Sequence, residues 1–191
     1  MFDSKAKAGE TVVSTVQTGK SLSEGLKAGG VFHFQCFDKD GNLKWQDKAQ
    51  NLVVNEGLQN MNTEYFKGST YNATWYLGLI EGPGSGTTIA AGDTLASHSG
   101  WVESTDYSGN RKTATFGTAT TADPSVINNS GSPASFSITG TTVIAGAFLA
   151  SVDTGSSGIL FSASDFTSPG DRSVVSGDTL NVSYSFSLDA A

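Results

Sequence analysis

Two histidines, one cysteine and eighteen carboxylates are the groups in this 191-residue chain whose types could do chemistry. His98 stands near Asp93 and between Ser97 and Ser99, the side-chain types of a serine-nucleophile triad. There, imidazole takes the hydroxyl proton and a carboxylate orients the imidazole. No Gly-x-Ser-x-Gly elbow presents such a serine, and closeness in sequence is not triad geometry. His33 lies between Phe32 and Phe34 in an alternating run and reads as a strand residue, not a base. Cys36 is alone, which leaves no disulfide framework and no zinc cluster, and it reads as a small core hydrophobe. Glu103 with Asp106, or Asp165 with Asp171, could supply the acid and base of a glycosidase, whose carboxyls stand roughly 5–9.5 Å apart. Any acidic surface carries such pairs, and a solvated face explains them better. Asp38, Asp40 and Asn42 alternate like calcium ligands, but the glycine comes fourth instead of sixth and Ala49 holds the place of the bidentate Glu. The Gly-rich stretch Glu81–Gly100 lacks the Lys-Ser/Thr ending of a phosphate-binding loop. The expectation is therefore no catalytic residue, no metal, no cofactor and no enzyme, but a structural or binding role.

Composition points the same way. The chain holds 26 Ser, 21 Thr and 23 Gly, types that suit turns and half-exposed strands and suit long helices poorly. Eleven Phe, five Tyr and three Trp supply core volume. Residues 1–30 carry four Lys against Asp3, Glu10 and Glu24, a net of +1, which leaves −8 on the remainder of a chain totalling −7. An acidic body repels phosphate backbones, so a nucleic-acid partner is not expected. No apolar run approaches the roughly 20 residues needed to span a bilayer, so no membrane partner is expected either, and the chain reads as made in a reducing cytosol. Asn72-Ala-Thr74 and Asn181-Val-Ser183 match the glycosylation pattern but carry no weight without a leader.

The elements that must position these residues divide at position 30. Residues 1–30 form a low-complexity segment whose apolar residues Phe2, Val12, Val13, Val16, Leu22 and Leu26 are too sparse to close a core. It reads either as a disordered tail or as an extended arm that orders on a partner, with those six residues making the contact. From Val31 the pattern is a sandwich domain, 31–191. VFHFQCF and LKWQDKAQNLVV flank an Asp-Gly turn and predict a hairpin. Asn55 is placed to cap a short helix with Glu56 in its first turn, Leu58, Met61 and Tyr65 on one stripe, and Gly68 as its stop. Gly57 weakens that helix.

Ala73–Glu81 reads as a central strand buried on both faces, with Gly78 marking a close backbone approach or a bulge. Glu81–Gly100 is a long loop of the kind that is functional or mobile. Further strands are expected at Arg111–Gly117, Ala134–Thr139, Thr142–Val152, Gly158–Ser162 and Thr179–Leu188. In the last, Leu180, Val182, Tyr184, Phe186 and Leu188 alternate inward against Asn181, Ser183, Ser185 and Ser187. The tetrapeptide GDTL recurs at Gly92–Leu95 and Gly177–Leu180 with unmatched flanks, which indicates the same turn-to-strand chemistry and not a duplication. The predicted fold is all-β: an antiparallel β-sandwich, jelly-roll-like, with one short α-helix and an extended N-terminal arm. If the domain binds a sugar, Trp101 and Tyr107, just after the long loop, are the candidate platform. Their alternative is a plug over one end of the sandwich.

The segment NLVVNEGLQNMNTEYFKGSTYNATWYLGLIEG, then GDTLASHSGWVEST, GAFLAS and GDRSVVSGDTLNVSYSFSL, in that order, resembles a class of tailed-bacteriophage virion proteins. The resemblance spans most of residues 31–188 and implies a capsid decoration (cement) protein, or else a tail or fibre component with a receptor- or carbohydrate-binding sandwich. It further implies the major capsid protein as partner, a homo-oligomer with a trimer favoured, and a place on the capsid exterior. Residues 1–30 are its least matched part.

Overall fold

The computed structural model describes residues 25–68, 71–82, 87–167 and 170–190. Phe2, Val12, Val13, Val16 and Leu22 lie outside the described residues. The chain runs β1 (Leu26–Phe37), β2 (Leu43–Val53), α1 (Asn55–Lys67), β3 (Tyr76–Glu81), β4 (Val102–Glu103) and β5 (Lys112–Thr113). It continues through β6 (Ser125–Asn128), β7 (Ala134–Ser137), β8 (Thr142–Ala150), β9 (Leu160–Ser164), β10 (Arg172–Val174) and β11 (Thr179–Ala190). All pairings are antiparallel, and the fold is the expected all-β sandwich with one short helix.

Two layers share one strand. In the first, β6 and β7 lie on β11, followed by β1 and most of β2. At Asn51 strand β2 changes partner: its last three residues pair with Ser162–Ser164 of β9, which leads to β8 and β3 in the second layer. The strand forms a corner between layers, as sandwiches commonly build. Strand β1 starts at Leu26, pairing with Ala190, so Leu26–Gly30 belong to the sheet and not to a separate arm. Leu26 itself is 67% exposed there.

Between the layers, Phe32, Phe34, Cys36, Leu180, Val182 and Tyr184 share one core with Leu77, Leu79, Ile144, Ala147, Leu149 and Phe161. Burial of large aromatic and branched side chains contributes most of the stabilisation, about 1.5–3 kcal/mol for each one fully withdrawn from water. Strands β3, β8 and β9 are buried on their other face as well. That face (Ile80, Ala145, Phe148, Ala150, Leu160, Ala163) packs with Val54, Leu95 and Trp101 in a second core. The stretch of the long loop from residue 87 to residue 100 is thus the cover of this face. Its ends are tied by Thr88 N–H to the Gly100 carbonyl at 2.9 Å.

A bulge lets β8 serve both cores. Ile80 pairs with Gly146 but Glu81 with Ile144, so Ala145 is the extra residue, and inward positions shift from Ile144 to Ala147. Gly78 makes the close approach foreseen for it, since a Cβ there would overlap the Phe148 ring. In the hydrogen-bonded order, however, β8 and not β3 is central, because β3 has only the two-residue β4 and β5 on its other side.

The helix departs from expectation in its face and its cap. Val54 is the N-cap, with no side-chain cap, and Asn55 opens the helix with its N–H on the Ala91 carbonyl. Leu58 and Tyr65 face out, 40% and 84% exposed, while Gly57 is the buried residue. A Cβ at Gly57 would overlap the Phe161 carbonyl oxygen, so the glycine is what lets α1 sit on β9. Gly68 closes the helix in the left-handed region at φ 59°, as the sequence predicts.

Candidate functional site: the aromatic cleft beside the helix

The residues singled out for sugar recognition are interior. Trp101 is 2% exposed, donates Nε1–H to Asp93 Oδ2 at 3.0 Å, and lies between the stacked His98 ring and Phe148. Tyr107 is 7% exposed and edge-on to Phe136, and burial raises its phenol pKa. Neither offers a face to a ligand. Nor do they plug one end of the sandwich: Trp101 lies over the outer face of β3, β8 and β9, and Tyr107 belongs to the core between the layers.

The other chemical candidates are likewise absorbed by the fold or unpaired with each other. His33 projects from the outer face of β1, opposite Ser183 and Lys48. His98 Nδ1–H donates to the Trp101 carbonyl, 3.1 Å away. Glu103 pairs bidentately with Arg111, not with Asp106. Arg111 also donates to the Val152 and Gly155 carbonyls, clamping two loops over Phe148. Asp165 is raised by burial and then by Asp171. Cys36 is fully buried, and burial, with the Asp178 carboxylate 3.8 Å away, pushes its thiol up to about 11. Among the described residues, no group of three or more His, Cys, Asp or Glu is placed to hold a metal ion, and no helix is long and apolar enough to cross a membrane.

The two GDTL turns carry the same chemistry. In one, Asp93 Oδ2 accepts from Ala90 N–H while the Asp93 N–H donates to the Ala90 carbonyl. In the other, Asp178 and Val175 repeat both bonds. Each aspartate is buried and takes a further donor, Trp101 Nε1 in the first case and Lys44 Nζ in the second. The pair explains why the tetrapeptide recurs without a duplicated domain.

What remains unabsorbed is a cleft of about 650 Å³ where the second half of α1 overhangs the end of the sandwich. Gly57 holds the helix against β9, and β9 has its own extra residue, Phe161, opposite Leu149–Ala150 of β8. That bulge turns Phe161 into the cleft, edge-on to Trp75 at 5.4 Å and to Phe186 at 5.3 Å. Phe116 and Tyr184 line it as well. The Tyr184 hydroxyl accepts from Asn51 Nδ2 at 2.7 Å and from Ser162 Oγ at 3.2 Å, and burial raises its pKa. Met61 and Glu64 come from the helix. Glu64 Oε1 accepts weakly from Asn60 Nδ2 at 3.4 Å, while Oε2 is buried with no partner. Asn51 Oδ1, behind Tyr184, is also buried and unpaired.

Beside the cleft, the helix and the segment after it expose Tyr65, Phe66 and Tyr71 at 84%, 78% and 76%, and the first two rings meet edge-to-face at 5.0 Å. A second concavity of about 600 Å³ lies against the β1–β2–β11 layer, lined by polar groups such as Gln35, Gln46 and Asn181. Its lining includes His33 and Phe34, and none of its lining residues has a buried unpaired side-chain atom.

Sequence reasoning placed Trp75 in the fold's centre and Tyr65 on the packed stripe, so it missed this site. The available signal was the adjacent pair Tyr65–Phe66, which no single helical face can bury together. Compared with known proteins, the chain matches no family model, no curated protein and no solved structure.

Proposed function

We propose that this protein is a structural component of a tailed-bacteriophage virion, decorating the capsid exterior and stabilising it by bridging neighbouring major capsid protein subunits. The sequence pieces that resemble phage virion proteins support the virion assignment. One structural observation carries the attachment role: Tyr65, Phe66 and Tyr71 stand exposed beside an aromatic cleft. Large exposed aromatics grouped in this way on a soluble domain mark a surface that works covered. The acidic body, −8 over residues 31–191, suits a place away from the genome. Assembly as a homotrimer would repeat the contact, so that modest single affinities combine by avidity.

The alternative, a tail or fibre part with a carbohydrate-binding sandwich, draws on Trp75, Asn60 and Asn72 in the same cleft. Copy number per purified particle separates the two. Hundreds of copies fit a shell protein, a few dozen or fewer fit a tail part, and a count of zero removes both. Purified full-length chain mixed with shells of the major capsid protein should sediment with them. Replacing Tyr65 and Phe66 by serine should weaken that attachment without unfolding the chain.

A further inference from the structure

We infer that the cleft is a docking groove for a segment of a partner protein that presents a lysine or arginine between apolar residues. The cation is received at Glu64 and its neighbours rest against Trp75, Phe116 and Phe161. A carboxylate oxygen removed from water without a hydrogen bond is costly, and burial keeps it only where something compensates. The two turn carboxylates have their compensation in the chain: Asp93 has Trp101 and Ala90, and Asp178 has Lys44 and Val175. Glu64 Oε2 has none among the described residues. Asp165 Oδ1 is buried without a partner too but does not line the cleft.

The walls fix what kind of donor fits. Aromatic side chains favour a cation through their ring faces, and they cover the aliphatic stem of a long basic side chain. Trp75, Phe161 and Phe186 meet edge to face, which fixes each ring against its neighbours. A groove with walls set in advance loses less conformational freedom on binding. Charge agrees, since a body of net −8 draws a basic segment and repels an acidic one. The exposed Tyr65, Phe66 and Tyr71 extend the apolar contact beyond the cleft, to the reach of a chain segment and not of a small molecule. A neutral sugar is the competing occupant, and it would leave the Glu64 charge uncompensated by any cation.

The inference takes its partner class, a protein segment, from the attachment role proposed above. Its test needs no capsid, so the two can fail separately. Isotope-labelled full-length chain is titrated with the peptide acetyl-Phe-Lys-Phe-amide and with its isosteric counterpart carrying norleucine for lysine. Indole N–H signals are followed by NMR. The Trp75 signal should move to saturation with the lysine peptide, while the buried Trp101 signal stays in place. The norleucine peptide should bind at least ~10-fold more weakly, the ratio expected for one charge-assisted hydrogen bond. In Glu64→Gln the two peptides should converge. Equal binding of both peptides to the wild-type chain would overturn the inference without reliance on any variant. So would saturation of Trp75 by methyl glucoside with no response to either peptide, or peptide shifts confined to another surface. Loss of shell attachment with intact peptide binding would count against the capsid role alone.

Discussion

The outer face of the β3–β8–β9 layer and the cleft at the second half of α1 are built from the same kinds of residue. Each has a tryptophan, phenylalanine and a helix glutamate, with Phe148 alone on the covered face and Phe116, Phe161 and Phe186 in the cleft. On the covered face, Glu56 Oε2 accepts the N–H of Leu95 at 3.3 Å and of Leu160 at 2.7 Å, pinning the loop and β9 to the start of the helix. Two turns later, Glu64 turns a buried oxygen into the cleft with nothing to accept. Trp101 is sealed under the loop with its indole bonded, whereas Trp75 is half-buried and lines open space. Aromatic content therefore does not separate a core from a site in this protein. What separates them is the helix glutamate: Glu56 is bonded to two backbone donors, and Glu64 Oε2 has no partner among the described residues.

That contrast can be broken most forcefully at the tryptophans. Trp101→Ala should lower the unfolding free energy by about 3–5 kcal/mol, because a sealed ring leaves a cavity. Trp75→Ala should cost only about 1–2 kcal/mol, because its site already meets solvent. Urea titration of both variants measures the gap, and equal losses would erase the distinction between the regions. Next in size is Gly57→Ala. In an open helix this change gains up to about 1 kcal/mol. Here the new methyl meets the Phe161 carbonyl, so the sign should reverse to a loss of about 1–3 kcal/mol by the same titration.

Removing the turn carboxylates, Asp93→Ala and Asp178→Ala, should each cost about 1–3 kcal/mol, since each leaves buried donors unsatisfied. Similar thermal shifts in the two variants would support equivalent turns. The smallest effect belongs to Cys36. With its thiol pushed up to about 11 it stays protonated at pH 8, and its side chain is fully buried. A maleimide reagent should leave the native chain unlabelled and label it quantitatively in urea.

The parts of this architecture that were legible in the sequence are those where local pattern and final environment agree. The 31–54 hairpin, the alternation of Leu180 through Tyr184, the glycine stop at Gly68 and the tight packing at Gly78 are of this kind. Phe186 and Leu188 continue the alternation but emerge half-buried, because Phe186 has reached the cleft. Three features stayed hidden for physical reasons. Strands β4 and β10 are two and three residues long, too short for a period to register, and β5 keeps only Lys112–Thr113 of the strand expected at Arg111–Gly117. Trp101 is buried by a sheet face formed by β3, β8 and β9, a long-range event that its own loop sequence does not announce. Gly57 counts against a helix by propensity, yet it is the contact that seats the helix. The packed face therefore follows Gly57, Asn60, Met61 and Glu64 instead of the apolar stripe.

In the proposed groove Glu64 is held for a partner, while Glu56 serves the fold. Comparing Glu56→Gln with Glu64→Gln by urea unfolding tests this division of roles directly. Glu56→Gln should lose about 1–3 kcal/mol, as two backbone donors lose a charged acceptor. Glu64→Gln should be neutral or up to about 1 kcal/mol more stable, as an uncompensated buried charge disappears. A loss at Glu64→Gln as large as that at Glu56→Gln would contradict the claim and make the cleft part of the core.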